Sequence, residues 1–333
     1  MSCEIKWALN KMPKTEDKNL PIMSVVEVKK ARAFHESIPQ YQVTPLADLK
    51  NMAEYLGLAK ACVKDESYRF GLNAFKVLGG SYAIARYIAK ETKRDISQMP
   101  YSVLTSKELR DEFGQATFFS ATDGNHGRGV AWAANRLGQK CVIRMPVGST
   151  ENRRRHIEDE GAECTIEKVN YDDCVRMVAE EAKHAERGVV IQDTAWEGYE
   201  EIPSWIMQGY STMADEAVEQ FEERPTHVFV QAGVGSLAGG VVGYFANKYK
   251  KNPPVMVVVE AEPAACLYRG AEAADGEIRI VDGEMPTIMK DESYRELRLE
   301  LGLNQDSKVL MFSTEGDTDP DRYKTIVWEG GLK

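Results

Sequence analysis

"ATFFSATDGNHGRGVAWAANRLG", Ala116 to Gly138, decides the fold. Its first part, "ATFFSAT", is a short run rich in aromatic and β-branched residues and reads as a buried strand. "DGNHG" reads as a turn, because aspartate, asparagine and glycine tolerate left-handed dihedrals and can bond their own backbone. "RGVAWAANRLG" then spaces its apolar residues as a helix does and closes on Gly138, a glycine placed as a C-terminal cap. Together they make one βα unit.

The unit recurs along the chain. "CVIRMP" is the next strand, and "STENRRRHIEDEGA" is a helix with Ser149 or Thr150 as its N-cap. "ECTIEKV", "YDDCVRMVAEEAKHAER" and "VVIQDT" continue the alternation. A second block begins near Pro203 with the helix "SWIMQGYSTMADEAVEQF". Strand "THVFVQAG", loop "GVGS", helix "LAGGVVGYFANKYK" and strand "PVMVVVEAE" follow. The highly charged "KDESYRELRLELGL" precedes a last strand, "KVLMFSTEGD". Alternation of this kind predicts parallel sheets flanked by helices. No internal repeat, low-complexity tract or Pro-rich linker divides the blocks, so the expected architecture is α/β, with two lobes joined by short connections.

The 333 residues, 43% of them hydrophobic, suffice for a large core split over two lobes. With Lys+Arg at 42 and Asp+Glu at 52, the net charge is −10, which argues against a nucleic-acid or anionic-membrane surface. The basic run Arg153-Arg154-Arg155 sits among Glu151, Glu158, Asp159 and Glu160 and reads as a solvated helix face. The N-terminal "MSCEIKWALNKM" has no long apolar run, and no apolar stretch is long enough to span a bilayer. Six cysteines without a CxxC pair and five histidines without ligand spacing leave no zinc pattern, so no metal is expected. The expected location is the cytoplasm, with reduced thiols.

Four features carry candidate chemistry. Lys76 lies among Ala74, Phe75, Val77 and Leu78, ahead of a double glycine. An ammonium is costly to desolvate, so this lysine either snorkels to water or serves as a reactive amine. Gly233, Val234, Gly235, Ser236 and Leu237 join a strand to a helix, where converging backbone N–H groups can hold a phosphate. A dinucleotide is the rival ligand, since Gly233-x-Gly235-x-x-Ala238 followed by Glu260 fits that fingerprint too. "SATDGNHGRG" crowds Asp123, Asn125 and His126 at the carboxyl end of a strand, where open α/β sheets place ligands. Asp193 closes another apolar strand and is either a helix cap, the plainer reading, or a general acid/base.

In combination these pieces resemble the fold-type II family of pyridoxal-phosphate enzymes, which includes tryptophan synthase β, threonine dehydratase and cysteine synthase. "FGLNAFKVLGGSYA", "ATDGNHGRGVAWAA", "QDTAWEGYEEIP", "QAGVGSLAGG" and "FSTEGDTDPDRY" resemble its diaminopropionate ammonia-lyase branch in particular. The resemblance runs through nearly all the chain. It implies that Lys76 bonds pyridoxal phosphate, that loop 233–237 holds its phosphate, and that Asn125 bonds the ring hydroxyl. It further implies that Ser313, with Thr314 as an adjacent candidate, faces the ring nitrogen. The implied reaction converts 2,3-diaminopropionate and water to pyruvate and two ammonia. Since members of the family accept both isomers, two bases are implied: Lys76 for the L isomer and Asp123 for the D isomer. Asp193 would bind the distal amine, and Ser120, Thr122 and Asp123 would complete the substrate contacts.

The family resemblance also implies a homodimer acting on a small amino acid. Its large cofactor domain would comprise residues 1–85 and 199–333, and its small domain residues 86–198. A serine or threonine dehydratase of the same fold is the nearest alternative, and a non-catalytic derivative is a more distant one. In one place the chain departs from the family. Several tens of residues normally separate the "TIM" motif, here Thr287-Ile288-Met289, from the helix matching "ELRLELGL". They include an "SGESG"-like segment near the cofactor and a cysteine that could pair with Cys266. Here Met289 runs directly into Lys290.

Overall fold

A computed structural model of the chain describes residues 6–10, 20–261, 265–273, 295–320 and 324. The junction of Met289 with Lys290, and the Thr287-Ile288-Met289 motif, lie outside the described residues. In chain order the strands are β1 (Leu46–Asp48), β2 (Lys60–Asp65), β3 (Thr117–Ala121), β4 (Lys140–Met145) and β5 (Glu163–Ile166). β6 (Gly188–Val190), β7 (His227–Ala232), β8 (Val255–Glu260) and β9 (Lys308–Ser313) complete them. The chain divides into two compact units. One comprises Val26–Pro45, Asp65–Met213 and Ser313–Lys333, and the other Met1–Val25, Leu46–Lys64 and Ala214–Phe312.

The first unit is built on a sheet of order β5-β4-β3-β6, with every pairing parallel. Strands of this kind must be covered on their faces, which is why their sequences run apolar rather than alternating. Cys174, Val178 and Ala182 of the helix Tyr171–His184 pack on Phe119 and Ala121 of β3. Fully burying one Val or Phe side chain contributes about 1.5–3 kcal/mol, so this contact is a substantial part of the unit's stability.

The helix after β3 spans Asn125–Arg136 and therefore starts three residues earlier than its apolar spacing indicates. Gly124, at φ 159°, turns the chain directly into it. Asn125 and His126 are consequently first-turn helical residues rather than loop residues. At its far end Gly138 takes a left-handed φ of 68°, as the sequence requires of a cap. Of the two candidate caps of the next helix, Glu151–Asp159, Thr150 accepts the N–H of Arg153 at 3.4 Å.

The helix Lys76–Glu91 is buried along Val77, Leu78, Ile84 and Ile88. Two glycines let other backbones approach it. A Cβ on Gly129 would stand 2.7 Å from Cα and 2.8 Å from N of Val77. One on Gly209 would collide with the carbonyl oxygen of Leu78. Backbone atoms cannot swing aside as a side chain does, so these glycines fix where the helix, and Lys76 at its first position, sits.

The second unit holds a sheet of order β1-β2-β9-β7-β8, in which β1 and β2 are antiparallel while β7 pairs in parallel with β8 and β9. Its interior contains an ion pair, Lys64 with Glu216 at 2.7 Å, both side chains fully buried; Lys64 also donates to Gln220 at 2.6 Å. Removing one member of such a pair typically costs about 3–5 kcal/mol, because the other charge is left stranded. Glu260, the acidic residue of the dinucleotide fingerprint, accepts the N–H groups of Leu267 at 2.9 Å and Tyr268 at 2.7 Å. It caps the helix Cys266–Ala273 with its charge at the positive end. The reading of Glu260 as a ribose ligand is corrected accordingly: its carboxylate is committed to that helix. Among the described residues no helix is long and apolar enough to cross a membrane, and no group of His, Cys, Asp and Glu could hold a metal.

Gly129→Ala tests the close approach. The added methyl has to push backbone aside, which should cost about 1–3 kcal/mol and lower the urea midpoint of unfolding with little change in slope.

Candidate active site

Lys76 opens its helix directly after Phe75, whose N–H donates to the carbonyl of Thr314 at 3.0 Å. Its ammonium lies 5.4 Å from the Phe75 ring centroid and 5.5 Å from that of Tyr210, and its side chain is 25% exposed. It neither snorkels freely nor is sealed. It donates a hydrogen bond to Asp193 Oδ2 across 117 residues of sequence.

Asp193 is not a helix cap. β6 ends at Val190 and the next helix starts at Glu201, so no helix N-terminus follows the carboxylate. Burial, the largest single influence, drives this carboxyl up, yet the Lys76 ammonium, the His126 ring and the hydrogen bonds it accepts together outweigh burial and hold it well below the usual carboxylate range. Tyr210 donates its hydroxyl to the same Oδ2 at 3.3 Å, and burial keeps that phenol protonated by pushing it far above its ordinary range.

His126 completes the cluster. Its Nε2 lies 2.9 Å from the carbonyl oxygen of Ile191, which can only accept, so Nε2 carries the hydrogen. Burial pushes the ring below the usual histidine range and keeps it neutral. Nδ1 is then a bare acceptor, 3.9 Å from Asp193 Oδ2, buried and without a hydrogen-bond partner.

The remaining candidates fall into different situations. Ser120 is buried and donates to Gln192 at 3.1 Å, and Thr122 accepts the N–H of Gly124 at 3.0 Å. Thr122 therefore braces the turn, while Ser120 ties β3 to the segment after β6. The Asp123 side chain is 80% exposed and faces Arg153, which also donates to the Asp123 carbonyl at 3.1 Å. Arg153 does not belong to a solvated face as the charge run suggested, for it turns inward to this loop and to Asp319. Asn125 donates to Glu315, which also accepts from Thr318 at 2.9 Å. Ser313 ends β9 and Thr314 follows it, and Glu315 bridges to Ala74, two residues before the lysine. Sequence reasoning missed Tyr210 and Glu315. Tyr210 follows Gly209 inside a helix whose apolar spacing hides a polar role, and Glu315 looks like one more surface acid.

In the second unit, Gly235 adopts φ 94° and opens the helix Ser236–Tyr249. A Cβ on Gly233 or Gly235 would meet nothing within 4 Å, so the loop borders open space at both glycines. Val234 is 46% exposed, while Ser236 and Leu237 are buried. An open glycine cradle at a helix N-terminus suits a phosphate. An amine flanked on one side by the Phe75 and Tyr210 rings, and an unpartnered buried histidine nitrogen near it, suit a group that bonds the lysine. Each unit taken by itself, the cradle fits a phosphate and the lysine cluster fits a carbonyl that bonds an amine, and pyridoxal phosphate carries both groups.

Residues 38–301 match the family described as pyridoxal-phosphate dependent enzyme, and the chain belongs to it. Diaminopropionate ammonia-lyase of Salmonella typhimurium is 42% identical, covering 90% of this chain and 91% of the relative. A crystal structure of holo diaminopropionate ammonia lyase from Escherichia coli superposes with a TM-score of 0.89 at 38% identity, covering 99% of this chain and 98% of that one. Another from the same organism, in complex with D-serine, gives 0.88 at 38% identity, covering 98% and 97%. Within the family the chain falls among the diaminopropionate ammonia-lyases, with the fold-type II α/β architecture. The alignment with the Salmonella enzyme spans 368 positions, more than the 333 residues of this chain, so the relative has positions without a counterpart here.

His126 makes acid stability a test of the buried cluster. Its folded-state pKa is depressed, so below the ordinary value near 6.5 the unfolded chain binds a proton that the folded chain does not. Stability is therefore lost as pH falls through that value, by up to about 1.4 kcal/mol per pH unit from this group. Denaturant melts of wild type and His126→Gln at about pH 7 and about pH 5 should show the smaller acid loss in the variant.

Proposed function

We propose that the chain catalyses elimination of ammonia from 2,3-diaminopropionate, D and L, giving pyruvate and two ammonia with pyridoxal phosphate as cofactor. The observation that carries this reading is Asp193, a buried carboxylate already matched to an ammonium at the reactive lysine. A diamino acid brings a second ammonium to take that place, whereas a hydroxy amino acid does not. The relatives named above support the same substrate.

In this reading Lys76 anchors the cofactor, loop 233–237 holds its phosphate, Asn125 its ring hydroxyl, and Ser313 or Thr314 its ring nitrogen. When bound, pyridoxal phosphate supplies an electron sink that acidifies the hydrogen on the amino acid's α carbon. Lys76 takes that proton from the L isomer and Asp123 takes it from the D isomer, on the opposite face. Asn125, held by Glu315, keeps its amide oriented. Asp193 holds the distal ammonium until it departs as neutral ammonia, so no acid is needed to release it. Thr122 shapes the turn that presents Asp123, and Ser120 ties its strand to the segment after β6. The enzyme works as a cytoplasmic homodimer, with residues 1–85 and 199–333 as the cofactor domain and 86–198 as the small domain.

Keto-acid release is the direct measurement, with D- and L-diaminopropionate, serine and threonine offered separately. Pyruvate should form from both diaminopropionate isomers far faster than from serine; product from serine or threonine alone would move the protein to the dehydratases. Asp123→Asn should lower kcat/KM for the D isomer by about 100-fold or more and leave the L isomer within a few-fold. Equal loss on both isomers would refute the two-base assignment. Asp193→Asn should cost about 100-fold on diaminopropionate, with a smaller effect on serine.

A further inference from the structure

A lysine that is to attack carbon must first lose a proton, and the Lys76 ammonium is hydrogen-bonded to a buried carboxylate that favours keeping it. The departing proton needs an acceptor inside the cluster, and Asp193 needs a positive neighbour once the ammonium is gone. One atom meets both needs. His126 Nδ1 is buried, lacks a hydrogen-bond partner, and lies 3.9 Å from the Asp193 oxygen that Lys76 binds. That is roughly 1 Å beyond hydrogen-bond distance, a gap that a small ring or carboxylate rotation closes.

We propose that His126 is a positioning residue that stores the proton shed by Lys76. An N–H bond of Lys76 breaks and leaves its electron pair on Nζ. The proton passes to Asp193 Oδ2 and onward to Nδ1 of His126, whose lone pair forms the new N–H bond. Charges of +1, −1 and 0 on Lys76, Asp193 and His126 become 0, −1 and +1, so the buried cluster keeps its net charge throughout. Asp193 exchanges one cationic partner for another and is never left alone.

The surroundings favour this route. Three charged groups act on the ring: Asp193 from the segment after β6 and Lys76 from its own helix, and, most weakly, the exposed Asp123 from the turn before the His126 helix. The two carboxylates favour a charged ring, and burial and the Lys76 ammonium oppose it, so losing the ammonium removes one of the two opposing influences. Tyr171 and Tyr210 lie behind Asp193, and burial holds both phenols protonated, so neither competes for the proton. Nε2 is anchored on the Ile191 carbonyl in either state, so the ring gains its charge without losing a bond.

The inference rests on the reading of Lys76 as the reactive amine, and its test reads the histidine directly. Nitrogen-15 spectra of the histidine rings are recorded on the full chain, wild type and Lys76→Met, with His126→Gln assigning the signal among the five histidines. In wild type without added cofactor His126 should be neutral near pH 7, with its hydrogen on Nε2. In Lys76→Met it should carry hydrogen on both nitrogens, its titration midpoint higher by about one unit or more, a tenfold shift in the protonation equilibrium. Lys76→Gln serves if the methionine variant does not fold by circular dichroism. Nδ1 remaining unprotonated in the Lys76 variants from about pH 6 to about pH 8 overturns the proposal, whether the proton is absent or sits on Asp193. Keto-acid release from the same wild-type preparation, after addition of pyridoxal phosphate, separates the two readings. Pyruvate formation with an unmoved His126 sinks this inference alone, whereas a protonated His126 in Lys76→Met supports it whether or not wild type yields pyruvate.

Discussion

A carboxylate buried to the extent of Asp193 cannot stay charged without a cation against it. The rest of the candidate site follows from that requirement. Lys76 answers it, Tyr210 adds a neutral donor on the same oxygen, and His126 lies just out of hydrogen-bonding range. The pair is a weak source of net stability, because desolvating two ions offsets most of their attraction. Its effect is on position: it holds a flexible four-carbon side chain at one place beside the paired rings of Phe75 and Tyr210.

That place is set in turn by backbone packing. The lysine opens a helix that other backbones approach at Gly129 and Gly209, where no side chain of any size fits. Phe75 is hydrogen-bonded to Thr314, and Ala74 bridges to Glu315, so the segment that follows Ser313 is stitched to the residues just before the lysine. A polar cluster assembled from remote parts of the chain thereby rests on contacts that tolerate almost no adjustment. Overpacking at the glycines would move the lysine relative to its carboxylate by the same distance that it moves the helix.

Much of this architecture was legible in the sequence. The βα rhythm from Ala116 onward, the cap at Gly138 and the glycine cradle at 233–237 are local features, and local features are what spacing and turn chemistry encode. The start of the Asn125 helix was misjudged because asparagine, histidine and glycine carry no apolar period. For Asp193 the local sequence leaves a cap as the plainer reading and only the family resemblance points to a site, because its partner stands 117 residues away and no periodicity reports a contact at that range. Glu260 shows the converse difficulty. Glycines followed by an acid fit a nucleotide site in spacing, but the acid is already spent on the helix that follows it. Tyr210 and Glu315 act through contacts of the same long-range kind.

The two proposed bases differ in their access to water: 80% of the Asp123 side chain is exposed, against 25% of Lys76. This gives the two faces of the site unequal isotopic memory. A hydrogen resting on an exposed carboxyl trades with bulk water almost at once, whereas one held on a half-enclosed amine beside a carboxylate is retained longer. With Lys76 assigned to the L isomer and Asp123 to the D isomer, deuterium on the α carbon would wash out rapidly from one enantiomer. From the other it could survive long enough to reappear in the methyl group of the product.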